Sequence, residues 1–231
     1  MEERLDKVLA NADVASRKEL KIWIRKGRVM VDGVVAERPE MKVSDSAVIT
    51  VDGEPLSRKR RMVCMLHKPA GYVTSTKDKD ATVMDLVPEE WLKMDLAPVG
   101  RLDKDTEGLL VMTNDGVLAH QLISPKKGIK KVYYAEHEGT ANQEDVDAFQ
   151  KGIYLEPEGR CLPALLTPLG PGKSEVVVQE GKFHQVRRML ASRGLLVTYL
   201  KRIQEGGLTL GDLPLGRMRE LSADEEKLLF S

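Results

Sequence analysis

"GRLDKDTEGLLVMTNDG", residues 100–116, sets three carboxylates, Asp103, Asp105 and Glu107, between a glycine-preceded arginine and an unbroken apolar run. Residues 109–112 are apolar without alternation, so they read as a buried strand rather than one with a wet face, and Asn114 to Gly116 supply a turn after it. The loop that enters such a strand lies at the edge of a core. Asp103 is therefore held where a carboxylate can cap the loop, pair with a cation or do chemistry, and the local pattern does not choose among these. Asp105 and Glu107 keep company with Thr106 and Gly108 and fit capping or solvation of a turn.

Working outward, "VLAHQLIS" has the apolar spacing of a helix, and "NQEDVDAFQKG" and "HQVRRMLASRG" are helices with glycine stops. "KKVYYAEHEG", "PALLTPLG" and "SEVVVQEG" read as strands. Upstream, "MVCMLHKPAGYVTST" is an apolar strand interrupted by Lys68-Pro69 and Gly71, and "ATVMDLVP" is a short helix. The order of these elements gives a mixed α/β domain without the regular alternation of a doubly wound fold.

A smaller unit precedes it. Leu5, Val8, Leu9 and Ala12 recur at helical spacing, Ser16 can cap a second helix with Leu20, Trp23 and Ile24 inward, and Gly27 ends that helix. "RVMVDGVVA" places two β-branched runs around Asp32-Gly33, the signal for a two-residue hairpin, and "AVITVDG" adds a strand. Residues 1–55 thus form a helix-helix-hairpin module, 56–61 ("LSRKRR") a basic linker, and 62–231 the larger domain. Arg17, Lys21, Arg25 and Arg28 share one helix face, a cationic stripe opposite the apolar one that suits a phosphate backbone.

The totals exclude more than they assign. The chain has 36 basic and 36 acidic residues, so only their distribution can speak for a polyanionic partner. Residues 173–202 carry Lys173, Lys182, Arg187, Arg188, Arg193, Lys201 and Arg202 against Glu175 and Glu180, and "KKGIKK" (126–131) adds to this, which gives the larger domain a nucleic-acid surface. The two cysteines, Cys64 and Cys161, lie far apart with no metal-ligand spacing, so neither a disulfide scaffold nor a zinc site is expected. No signal-type segment or run of about 18 apolar residues appears, and the expectation is a cytoplasmic protein with no membrane contact. HExxH, GxSxG, P-loop and GxGxxG motifs are absent. A glycosidase pair of carboxylates needs a separation that sequence does not show. In "EGKFHQVRRMLASRG", residues 180–194, arginines at a helix start can meet phosphates or a carboxylate in bidentate geometry, whereas a lone His184 is more often structural.

Taken together, "GRLDKDTEGLLVMTNDG", "HKPAGYVTST", "KKVYYA", "GKFHQVRRML" and "LKRIQEGGLTLGDLPLGRMREL" resemble, in order and over essentially the whole chain, the motifs of the RsuA-type ribosomal RNA pseudouridine synthases. The N-terminal unit resembles a small RNA-binding module shared with a small-subunit ribosomal protein. The resemblance implies an α+β protein: that module plus a catalytic domain with a mostly antiparallel sheet, the pseudouridine synthase fold. It implies an isomerase that breaks a uridine N-glycosidic bond, rotates the base and rejoins it through C5, with no metal or organic cofactor. The substrate would be ribosomal RNA or a pre-ribosomal particle, with small-subunit 16S rRNA ahead of large-subunit 23S rRNA; the protein would act as a monomer with no protein partner. A non-catalytic ribosome-assembly factor of the same fold is the competing reading.

Residue by residue, the resemblance puts the essential carboxylate on Asp103, by attack on ribose, attack on the base or assisted elimination. It puts the cation that pairs with this carboxylate on Arg187, whose guanidinium would keep a shielded carboxylate ionised. The stacking and proton-transfer aromatic falls on Tyr133, with Tyr134 on the opposite face of the strand as the alternative. Arg101 is expected to contact RNA and brace the gap left by a flipped nucleotide. RNA contact is also expected at Lys68, which chiefly shapes the pocket wall, at Lys201 and Arg202, and along the N-terminal stripe. One departure stands out: Gln204 and Glu205 occupy positions where Arg-Ile is commoner in the family, away from the residues assigned to chemistry.

Overall fold

The computed structural model describes residues 2–12, 15–44, 46–56 and 60–231, the side chains of Asn11 and Arg17 excepted, in two compact units, 1–60 and 61–231.

In the first unit a short strand β1 (Glu2–Arg4) leads into α1 (Leu5–Asn11) and α2 (Arg17–Arg25). Ser16 caps α2 reciprocally, its Oγ accepting from the Glu19 amide while the Glu19 carboxylate accepts from the Ser16 amide at 2.9 Å. The expected hairpin forms between β2 (Val29–Val31) and β3 (Val34–Val35), with Asp32 and Gly33 at φ 49° and 81°, the left-handed pair that a two-residue turn needs. β4 (Lys42–Ser44) pairs with β1, and β5 (Ile49–Val51) and β6 (Glu54–Pro55) complete a sheet in the order β3-β2-β5-β6. Leu5, Leu9, Leu20, Ile24, Val29, Val43 and Ile49 are its buried core. The cationic stripe is shorter than expected. Lys21 and Arg25 are exposed on α2, but Arg28 lies beyond the helix, where its guanidinium covers the Trp23 ring at 4.5 Å and bonds Asp52, Nε donating to Oδ1 at 2.8 Å. Arg28 thus shares its charge with Asp52 on the surface, 38% of its side chain exposed; the Arg17 side chain lies outside the described residues.

The second unit is built on one sheet. β7 (Val63–Lys68) is followed by 3₁₀ turns at Val83–Leu86, where a short helix was expected, and Glu89–Met94, then by β8 (Ala97–Pro98) and β9 (Glu107–Thr113). Then come α3 (Gly116–Ile123), β10 (Lys131–His137), α4 (Gln143–Lys151), a small hairpin of β11 (Tyr154–Leu155) and β12 (Gly159–Arg160), β13 (Leu165–Gly170) and β14 (Lys173–Val178). α5 (Gln185–Ala191), β15 (Val197–Glu205), β16 (Leu208–Thr209), β17 (Met218–Glu220) and α6 (Ala223–Leu228) complete the unit. The strand order is β13-β14-β10-β15-β9-β7-β17, with β16 on β15 and β8 on β9; every pair is antiparallel except β15 with β9.

The continuous apolar runs have a direct cause. Val63 and Met65 of β7 and Leu109 and Val111 of β9 enter one core with Leu118, Leu122 and Leu229, while Cys64, Leu66, Leu110 and Met112 enter another with Val83, Leu96 and Leu102. Both faces of these strands are dry, so period-2 alternation disappears. β15 escapes the sequence pattern for the opposite reason: it is central yet carries Lys201, Arg202 and Glu205. Gly108 sits where β9 meets β15, at φ +114°, and a Cβ there would lie 2.1 Å from the Arg202 carbonyl oxygen. The expected linker overlaps both units at its ends: Leu56 packs on the first core, and Arg61 pairs with Asp115 and Glu226 of the second unit at 2.8 and 2.7 Å.

Candidate active site

Lys68 ends β7 fully buried, and its ammonium is surrounded by the carbonyl oxygens of Pro69 (3.1 Å), Asp103 (3.1 Å), Lys104 (3.2 Å) and Thr106 (2.9 Å). Three of these oxygens belong to the loop before β9, so one side chain from the sheet holds the backbone that carries Asp103. Thr74 holds it from another side, its hydroxyl donating to the Leu102 carbonyl at 2.7 Å and accepting from the Leu102 amide at 3.2 Å, and the Gly71 amide donates to the Lys104 carbonyl at 2.7 Å. Burial pushes the Lys68 ammonium down to about 8, while Asp105, Asp103 and Glu107 pull the other way. The expectation of an RNA contact at Lys68 is corrected: a side chain with no exposed surface touches no RNA. The "HKPAG" segment fixes the loop instead.

That loop forms one wall of a cavity of about 700 Å³, whose other walls come from the end of α3, Tyr133 of β10, the turn before α5, and Arg202 and Glu205 of β15. The Asp103 side chain is 27% exposed toward it. Its Oδ1 is 3.5 Å from His184 Nε2 and its Oδ2 is 4.0 Å from Arg187 Nε, while the shorter contact of Arg187 runs from its terminal nitrogen to Asp105 Oδ2 at 2.9 Å. Arg187 is therefore shared between two carboxylates, and Asp105, read as a turn residue, anchors the cation beside Asp103. The Arg187 Nε is buried and makes no hydrogen bond within the chain.

Tyr133 faces the cavity and Tyr134 does not: strand alternation sends Tyr134 to the other side, where it meets Tyr199 edge-on at 6.3 Å and donates to Glu136 at 2.9 Å. Tyr199 in turn donates to Glu107 at 2.7 Å, which accounts for the third carboxylate of the opening stretch. Burial pushes the Tyr133 phenol up, with Arg202 opposing and Glu205 and Asp103 adding to the shift, so its hydroxyl keeps its proton at neutral pH.

The surface cations are fewer than the sequence suggests. Arg101 is exposed at the cavity wall, Lys201 is half-buried on β15, and Lys126, Lys127 and Lys130 are exposed. Arg188 pairs with Glu158 at 2.9 Å and Arg193 with Asp145 at 2.8 Å. Arg202 is only 2% exposed, with Nε donating to the Leu109 carbonyl at 2.7 Å, so it stands in the cavity wall and not on the outer surface with the exposed lysines. Two features escape the sequence reading. Phe183, 68% exposed, stacks on His184 at 3.8 Å, an aromatic step beside Asp103; the aromatic before His184 was the available signal. Glu205, set apart from the chemistry on motif grounds, lies in the cavity wall. Among the described residues no cluster of three or more His, Cys, Asp or Glu is placed to hold a metal, and no helix is long and apolar enough to cross a membrane.

A carboxylate loop held by the sheet and a tyrosine line the same cavity of the second unit, and the first unit carries exposed cations on one helix, a combination that fits an enzyme acting on RNA. The chain belongs to the RNA pseudouridylate synthase family, which matches residues 62–192, and residues 3–49 match the S4 domain. It is an RNA pseudouridine synthase, an isomerase. It is 39% identical to the ribosomal small subunit pseudouridine synthase A of Pseudomonas aeruginosa over 96% of this chain and 98% of that one. It is 37% identical to the ribosomal large subunit pseudouridine synthase B of Bacillus subtilis, over 98% and 95%. A crystal structure of a pseudouridylate synthase superposes with a TM-score of 0.71 at 29% identity, covering 98% of this chain and 99% of that one.

Proposed function

We propose that this enzyme converts one uridine of bacterial ribosomal RNA to pseudouridine in the cytoplasm, with the 16S RNA of the small subunit as substrate, free or in a pre-ribosomal particle. The observation that carries this is that Asp103 and Tyr133 line one cavity, with Arg187 beside Asp103, joined to full-length likeness to a small-subunit enzyme. In this reading the target nucleotide leaves its stack, because C1′ and C5 are unreachable inside a helix. Arg101 braces the vacated position, Tyr133 stacks on the base, and Asp103, with the Arg187 guanidinium beside it, drives cleavage and rejoining. The exposed Lys21 and Arg25 of the S4 domain supply phosphate contacts, and the enzyme works as a monomer. The likeness to a large-subunit enzyme of nearly equal identity favours 23S RNA as the second reading.

Pseudouridine mapping of 16S and 23S RNA transcripts treated with the enzyme decides between the two subunits, and the same map from cells lacking the gene reports the lost site. Asp103→Asn, folded by circular dichroism, should form pseudouridine at least about a thousandfold more slowly; retained activity would remove Asp103 from the chemistry.

A further inference from the structure

The cavity contains a second charged constellation that the roles given to Asp103, Arg187 and Tyr133 leave without a task. Arg202 and Glu205 are 2% and 4% exposed at their side chains, both line the cavity, and their facing atoms, the Arg202 terminal nitrogen and Glu205 Oε2, stand 3.2 Å apart. Neither atom makes a hydrogen bond within the chain. Buried charged atoms with unspent hydrogen-bonding capacity are rare in native interiors, because each retains much of its desolvation cost. Here they form an adjacent donor and acceptor on the wall shared with Tyr133.

Uracil linked through N1 offers a complementary edge, one N3–H donor flanked by the O2 and O4 acceptors. We propose that Glu205 accepts the uracil N3–H and that Arg202 donates to the neighbouring carbonyl oxygen, so that the pair selects uridine and serves as the pivot of base rotation. This rests on the pseudouridine synthase reading of the same cavity. The pivot follows from the geometry of the base: turning uracil about the line through N3 and C6 brings C5 to the place of N1 and exchanges O2 with O4. N3 stays on the axis. The bond to Glu205 therefore survives the turn, and Arg202 meets a carbonyl before and after it. Cytosine presents a lone pair at N3, so the Glu205 contact becomes repulsive, and its C4 amino group repels Arg202 in one of the two orientations; a polar site of this kind rejects the wrong partner strongly. Glu205 is a specificity and positioning residue, Asp103 remaining the reacting group.

The test uses a short RNA containing the mapped target, with uridine or 3-methyluridine at that position, under single-turnover conditions. Wild type should act on uridine at least about a hundredfold faster than on 3-methyluridine. Glu205→Gln, whose amide oxygen can still face Arg202 and accept N3–H, should keep most of that ratio. Glu205→Ile fills similar space without an acceptor; it should act slowly on uridine, and its ratio should fall toward one. If Glu205→Ile does not fold, the charge-free pair Arg202→Met/Glu205→Ile replaces it, since removing both buried charges is tolerated better than stranding one. A wild-type ratio near one, or a large ratio retained by the isoleucine variants, overturns the proposal. A steric filter would leave the ratio intact in those variants. Absence of pseudouridine in every wild-type reaction would instead refute the parent reading and the pivot with it.

Discussion

At the scale of single residues, the informative side chains are long cations that fold inward. Lys68 is the clearest. Its ammonium serves four carbonyl oxygens, and Lys68→Met would leave these acceptors in a dry environment, at a cost of about 2–4 kcal/mol. Hydrogen exchange read on peptides covering residues 100–113 should show lowered protection there, with peptides of the first unit unchanged. Asp103, Tyr133 and Arg187 were singled out by the family resemblance of the motifs that hold them, the local pattern alone leaving the role of Asp103 open. Lys68, Arg202 and Glu205 could not be placed that way, because a charged residue in a sequence looks the same whether its head reaches solvent or a buried partner.

At the scale of elements, the same buried charges decide what could be read. The hairpin at Asp32-Gly33, the Ser16 cap and the dry strands β7 and β9 were legible because each has a local physical signature. β15 was not, although it is the centre of the sheet, since Arg202 and Glu205 interrupt its apolar pattern. Its parallel seam with β9 depends on Gly108. Gly108→Ala would drive a Cβ into the Arg202 carbonyl and demand a left-handed backbone from alanine, which should destabilise the larger unit by more than about 3 kcal/mol. Thermal unfolding followed by calorimetry should show one of two transitions shifted down; an unchanged transition would mean that the seam can open without loss.

At the scale of the whole molecule, neutrality hides a division of labour. The catalytic unit matches many of its cations internally, as at Arg188, Arg193 and Arg202, while Lys21 and Arg25 stand exposed on one helix of the other unit. If these two meet phosphates, Lys21→Ala/Arg25→Ala should weaken binding to ribosomal RNA transcripts and flatten its salt dependence, by about 0.7–0.9 in logarithmic slope for each phosphate no longer neutralised. Filter binding at several salt concentrations measures this; an unchanged slope would assign the affinity to other surfaces.

The position of β15 also dictates an order of events. It lies between β9 and β10 in the sheet but follows them by dozens of residues in the chain. While the protein is being synthesised, β9 and β10 emerge with facing edges unpaired, and the wall carrying Arg202 and Glu205 does not yet exist. The cavity is thus closed late, by insertion of a middle strand rather than by addition at an edge. The loop clamped by Lys68 is complete in sequence by Thr113, whereas the wall opposite it waits for residues 197–205.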